Sequence, residues 1–128
     1  MSRSFSEFVY VDDHGRLRVD GRDTAELADE FGTPLYVISE RQIQANVRAI
    51  TTAFRRRYPR TEILFANKAN NNPAVRTVFS QAGAGGDCFG YNELYLSLLG
   101  GANPDLLVLN GSNKQEPEQS VHLHTQFS

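Results

Sequence analysis

Lys68 is where covalent chemistry would start in this chain. It follows Phe65-Ala66-Asn67 and precedes Ala69-Asn70-Asn71-Asn72-Pro73, so an apolar strand gives way to an amide-rich turn and then to a helix start. An amine with apolar residues behind it is partly desolvated, which favours its neutral, nucleophilic form and suits capture of a carbonyl carbon. The same run also reads as a solvated lysine that merely ends a strand, because lysines with perturbed function are the minority. Two carboxylates stand downstream, Asp87 after Gly83-Ala84-Gly85-Gly86 and Glu93 in the first turn of a helical stretch. Each alone also has an ordinary reading, as a turn residue and as a carboxylate at the positive end of a helix dipole.

The remaining reactive side chains point elsewhere. Cys88 has apolar or acidic neighbours and no nearby histidine, which describes a small buried side chain rather than a nucleophile. Asn67, Asn70 and Asn71 either bond within a site or satisfy turn backbone. His14 falls in a polar turn facing solvent, and His122 with His124 lacks the further ligands that a metal site needs. The glycines at 83, 85 and 86 precede a strand, and Cys88 stands where a dinucleotide loop needs its third glycine, so a tight helix-to-strand turn is expected. Arg55-Arg56-Arg57 reads as a solvated helix end, since no aromatic residues interleave with it as in a nucleic-acid surface.

The elements that must position these groups follow from pattern. Phe8 to Val19 reads as a hairpin turning at Asp12-Asp13-His14-Gly15. Asp23 with Glu26 marks a capping box for a short helix that Gly32 stops, and a short strand is expected over 35–38. Ser39 with Gln42 caps a helix over 40–57 with Ile43, Val47, Ile50 and Phe54 at helical spacing. A strand over 62–67 follows, then a helix opened by Asn72-Pro73 whose buried stripe is Val75, Val78, Phe79 and Ala82. A strand over 85–88, a helix over 91–99 and a strand over 106–109 complete the series. Strands alternating with helices at this spacing predict βαβ units and a parallel sheet. Lys68, Asp87 and Asn110 then share the C-terminal rim, where α/β sites gather.

Composition bounds the function. A chain of 128 residues, 40% hydrophobic and 22% charged with formal net charge -2, suits a soluble domain and argues against a nucleic-acid partner. One cysteine excludes an intrachain disulfide and a CxxC site, so a reducing, cytoplasmic compartment is expected. No apolar run is long enough to cross a bilayer, and no signal or transit peptide is read at the N-terminus.

Five segments in order carry a resemblance: Gly32-Thr33-Pro34-Leu35-Tyr36-Val37, Phe65 to Asn70, Gly83 to Asp87, Glu93-Leu94, and Leu109-Asn110-Gly111-Ser112-Asn113-Lys114. Over about residues 8 to 114 the chain resembles the N-terminal part of the diaminopimelate/ornithine decarboxylase family, pyridoxal-phosphate enzymes of alanine-racemase-like fold. The Gly-Thr-Pro-Leu-Tyr stretch is most similar to the diaminopimelate branch, which serves lysine biosynthesis. The resemblance implies that Lys68 forms the internal Schiff base with pyridoxal 5'-phosphate and that Asp87 and Glu93 lie beside the cofactor and orient the lysine. It assigns Asn110 and Asn113 a lesser lining role. It also implies a small amino-acid substrate, loss of its carboxylate as carbon dioxide, and a homodimer.

Where the chain departs from that family, Asn67 replaces a small apolar residue and only three of the eight strands of a (β/α) barrel are counted. The later ring-stacking histidine, the glycine-rich phosphate site, the acidic ring partner, the partner-subunit cysteine and tyrosine, and the C-terminal β domain are not found. The expectation is therefore an α/β fold, an incomplete parallel (β/α) barrel over 39–114. Residues 1–38, a hairpin, short helix and strand, would belong to a β domain, and 115–128 form a divergent tail. A truncation or altered reading frame near the end is expected. The function expected is a decarboxylase fragment inert by itself. The alternative is a non-catalytic binding or regulatory module derived from the same family.

Overall fold

The computed structural model describes residues 3–112, so the expectations for Asn113, for His122 and His124 and for the tail at 115–128 lie outside the described residues. The chain divides into two compact units, Met1–Ile43 and Gln44–Ser128.

The first unit is a four-stranded antiparallel sheet in the order β1 (Arg3–Ser4), β2 (Val9–Val11), β3 (Leu17–Val19), β4 (Arg22–Asp23). The β2–β3 hairpin forms as the pattern predicts, pairing Val9 with Val19 and Val11 with Leu17. Asp12 builds its turn: Oδ1 accepts the backbone N–H groups of His14 at 3.0 Å and Arg16 at 2.9 Å, and Oδ2 accepts Arg18 Nε at 2.9 Å. His14 is exposed, as expected of a turn residue. Helix α1 (Thr24–Phe31) begins at Asp23, whose buried carboxylate accepts the Ala25 N–H at 2.8 Å, and ends at Gly32 with φ of 82°.

The strand expected over 35–38 does not form. A strand is held by ladder hydrogen bonds to a neighbour, and none of the described strands pairs with this segment. Its side chains stay exposed, Tyr36 at 97%. Helix α2 (Glu40–Arg55) then starts where Ser39 Oγ accepts the Gln42 N–H at 3.0 Å, and ends two residues before the expected boundary.

The second unit is a parallel sheet in the order β5 (Leu64–Ala66), β6 (Gly85–Cys88), β7 (Leu107–Leu109), connected through α3 (Pro73–Gln81) and α4 (Tyr91–Leu99). Register places Phe65 beside Gly86 and Leu107, and Cys88 beside Leu109. By strand alternation these share one face. Cys88, Leu107 and Leu109 pack there with Leu94 and Ala102 as the core, and Phe65 stacks on Phe79 at 3.8 Å between ring centres. The other face carries Leu64, Ala66, Asp87 and Val108, with Leu64 and Val108 exposed.

Glycines make the tight crossings. Gly83, at φ of 86°, turns the chain from α3 into β6. A Cβ at Gly85 would strike the Leu106 carbonyl and Leu64 Cδ2. The glycine run thus begins as the expected helix-to-strand turn at Gly83 and continues as the tightly packed start of β6 at Gly85 and Gly86. Three strand boundaries differ from pattern: β5 starts at Leu64 rather than at 62, and because Asn67–Ala69 and Pro104–Leu106 are 3-10 turns, β5 stops at Ala66 and β7 starts at Leu107. Among the described residues no helix is long and apolar enough to cross a membrane.

Candidate functional site

The C-terminal rim of the parallel sheet is polar. Lys68 is exposed and lies in the 3-10 turn two residues beyond the last residue of β5, rather than on the strand itself. Asp87 is half-buried on β6, in register between Ala66 and Val108 on the sheet's open face. Asn110 follows β7 and is exposed; its N–H donates to the Cys88 carbonyl at 2.7 Å and prolongs the ladder. Because β6 is central, Asp87 is flanked by the strands that lead to Lys68 and Asn110. No ion pair joins Lys68 to Asp87 among the described residues. Glu93 is half-buried in the first turn of α4, and its Oε2 accepts the Phe89 N–H at 2.8 Å, which fixes the loop between β6 and α4.

Beneath this rim lies a buried polar network that periodicity did not reveal. Arg76, on α3, is only 2% exposed. Its Nη1 donates to Ser97 Oγ at 2.6 Å and to the Glu93 carbonyl at 3.1 Å. Its Nη2 donates to Asn71 Oδ1 at 2.7 Å and to the Asn67 carbonyl at 3.5 Å. Ser97 Oγ in turn donates to the Glu93 carbonyl at 2.7 Å and accepts Asn67 Nδ2 at 2.8 Å. Asn67 Nδ2 has a second contact to Cys88 Sγ at 3.0 Å.

Electrostatics follow from that burial. The Cys88 thiol is pushed up from its ordinary pKa, first by burial, against the hydrogen bonds of Ser97 and Asn67 and the Arg76 charge. That fits the inert side chain expected of it. Burial lowers the Arg76 pKa, while Cys88 and Glu93 oppose the shift; a guanidinium nonetheless stays charged in proteins. Arg76 and Ser97 were not legible as interior residues, yet each interrupts an apolar stripe, Arg76 beside Val75 and Ser97 between Leu94 and Leu98. Asn67 does the same after Phe65-Ala66. Three polar interruptions on neighbouring elements are the signal that a network exists.

A separate groove of about 440 Å³ runs along β5, lined among others by Val47, Ile50, Ile63, Phe65 and Phe79. It is apolar and lacks the polar groups of the rim.

A parallel α/β unit with polar groups at the C-terminal ends of adjacent strands has the arrangement in which ligand sites of the α/β class gather. The chain belongs to the pyridoxal-dependent decarboxylase family, whose pyridoxal binding domain it matches over residues 41–125. It is 41% identical over 110 residues to the diaminopimelate decarboxylase of Methanothermobacter thermautotrophicus, covering 86% of this chain and 26% of that protein. The crystal structure of diaminopimelate decarboxylase from Methanocaldococcus jannaschii superimposes with a TM-score of 0.84 at 36% identity, over 93% of this chain and 28% of the other. The same enzyme in complex with L-lysine gives 0.85. The chain thus spans about a quarter of the length of the relatives it matches.

Proposed function

We propose that this chain is the lysine-bearing part of a pyridoxal-phosphate-dependent diaminopimelate decarboxylase, with Lys68 as the amine that engages the cofactor aldehyde. The observation that carries this reading is the place of Lys68. It is an exposed amine beyond the C-terminal end of β5 in a pyridoxal-binding family member, with Asp87 on the adjoining strand. Under the same reading, β5 to β7 are the first strands of an alanine-racemase-like (β/α) barrel over 39–114, and 1–38 belongs to a β domain. The substrate is an amino acid of the diaminopimelate class, the working form is a homodimer, and the setting is cytoplasmic.

The described residues fit one end of the cofactor. Lys68 offers an accessible amine to its aldehyde, and the half-buried Asp87 carboxylate is available to orient an ammonium or a ring substituent. Glu93, with Oε2 held by the Phe89 N–H, steadies the loop beside the rim. Gly85 and Gly86 offer the cofactor phosphate no cradle, because they are closed by Leu64, Leu106, Leu107 and Asn67. Bound pyridoxal phosphate supplies an electron-accepting ring for the carbanion left when the substrate carboxylate departs. What this chain contributes is the amine and, on the adjoining strand, a carboxylate that can orient a charged group of the cofactor or substrate.

The test uses the whole chain, whose only lysines are Lys68 and Lys114. Incubation with pyridoxal phosphate, borohydride reduction and peptide mapping should place the adduct on Lys68 and lose it in Lys68→Arg. An adduct absent from Lys68 in the folded chain overturns the reading. The 128 residues by themselves should release no labelled carbon dioxide from diaminopimelate; release would show that the residues present suffice for turnover.

A further inference from the structure

The geometry points to Arg76 as a positioning residue for Lys68, its guanidinium fastening both shoulders of the lysine's turn to helix α4. The inference rests on the reading of Lys68 given above, and it is drawn from the network beneath the rim. Lys68 lies between Asn67 and Asn71, and Arg76 Nη2 donates to both, to the Asn67 carbonyl at 3.5 Å and to Asn71 Oδ1 at 2.7 Å. The other end of the fork, Nη1, is anchored on α4 at Ser97 Oγ and the Glu93 carbonyl. One rigid, planar group therefore ties the lysine turn to the residue that fixes the Phe89 loop.

The donor count supports an ordered clamp. Each terminal nitrogen of Arg76 has two protons and two acceptors. Ser97 Oγ accepts from Arg76 and Asn67, gives its single proton to Glu93 and has a further contact with Cys88 Sγ at 3.7 Å. Both protons of Asn67 Nδ2 are directed, one to Ser97 and one to Cys88. The fifth N–H of the guanidinium, on Nε, is buried without a hydrogen-bond partner among the described residues. A charged group 2% exposed with four of its five N–H bonds directed is costly to misplace, so the turn it holds has little freedom to move. Lysine at position 76 cannot reproduce this, because a single ammonium cannot span four acceptors on two sides.

Two readouts on the full chain test the inference. Amide hydrogen exchange at Asn70, whose N–H bonds the Asn67 carbonyl at 3.2 Å, reports the turn without any cofactor. Selectivity of pyridoxal-phosphate trapping for Lys68 over Lys114 reports the presentation of the amine. In Arg76→Met, exchange at Asn70 should quicken about tenfold or more. The Asp12 amide, in the other unit, should keep its rate, and the Lys68 preference should fall. Arg76→Lys should restore little of either. A folded Arg76→Met chain with wild-type exchange and wild-type selectivity overturns the assignment. Should that variant not fold, Asn71→Ala, which removes one acceptor from an exposed residue, must shift both readouts in the same direction; no shift overturns the assignment equally. Wild-type chain that shows no Lys68 preference overturns the pyridoxal reading and the role of Arg76 in it. The exchange arm then still decides whether the guanidinium holds the turn.

Discussion

Asn67 and Ser97, 30 residues apart in sequence, meet at 2.8 Å in the interior of the second unit. This bond joins the end of β5 to the middle of α4 across the core, where both side chains are 2% exposed. It makes the floor of the candidate site polar although the surrounding core is apolar.

Ser97→Ala should therefore destabilise more than the loss of one hydroxyl suggests. It leaves Asn67 Nδ2 and Arg76 Nη1 each short of an acceptor, at a cost of about 1–3 kcal/mol for an unsatisfied buried group. The urea midpoint should fall with little change in slope. Asn67→Ala with Ser97→Ala should cost less than the sum of the single changes, because the two share one network.

Gly85→Ala should be among the most damaging small substitutions in the sheet. Its added carbon meets the backbone carbonyl of Leu106, which cannot move without shifting β7, so the penalty is about 1–3 kcal/mol or more. Gly86→Ala meets side-chain atoms instead, Asn67 Nδ2 and Leu107 Cδ2 at 2.9 Å, and should cost less. Thermal melting of the two variants side by side checks the order.

Much of this architecture was legible because its punctuation is local. Asn72-Pro73 and Gly83 bracket α3, Gly100-Gly101 ends α4, and Asp12 to Gly15 turns the hairpin. The rim positions of Lys68, Asp87 and Asn110 follow once the strands are known. What could not be read depended on partners distant in sequence. Residues 35–38 have strand composition but no neighbour to pair with in the described chain. A helix arginine reads as solvent-facing until acceptors at 67, 71, 93 and 97 surround it. Glu93 was read beside a cofactor or at a helix start, and its bond to Phe89 is a loop contact that helical spacing does not encode.

The hairpin unit should lose stability in acid. The Asp23 carboxyl is held below its ordinary pKa, chiefly by the Ala25 N–H and then by Arg16 and Arg18. Asp12 is held low by the Arg16 N–H and by Arg18. A carboxyl whose folded pKa lies below its unfolded value contributes stability that is full above the unfolded value, about 3.9 for aspartate. That contribution disappears as pH falls through the folded value. Denaturation followed from pH 5 to pH 2 should show the loss below about pH 4. Asp23→Asn, which keeps a capping side chain without the charge, should flatten the profile.

Cys88 should be silent to alkylating reagents in the native chain. It is fully buried, and burial raises its pKa, so little thiolate exists at neutral pH and none is accessible. Since it is the sole cysteine, its labelling reads opening of the second unit alone. Iodoacetamide labelling should be negligible in buffer and should rise with the unfolding transition in denaturant. Rapid native labelling would contradict the packed core described for β6.

The chain should self-associate through the open face of its parallel sheet. Leu64 and Val108 are 36% and 46% exposed there, and among the described residues β5 and β7 each pair on one side only, which leaves strand edges open to pairing. Parallel sheets are ordinarily covered on both faces, so an exposed one favours contact with another apolar surface. Light scattering over a range of concentrations should show a mass that rises with concentration. Val108→Lys puts a charge on that face at an exposed position and should shift the distribution toward monomer without lowering the melting temperature of the unit. A wild-type chain that stays monomeric and melts cooperatively at every concentration would mean that the sheet tolerates an uncovered face.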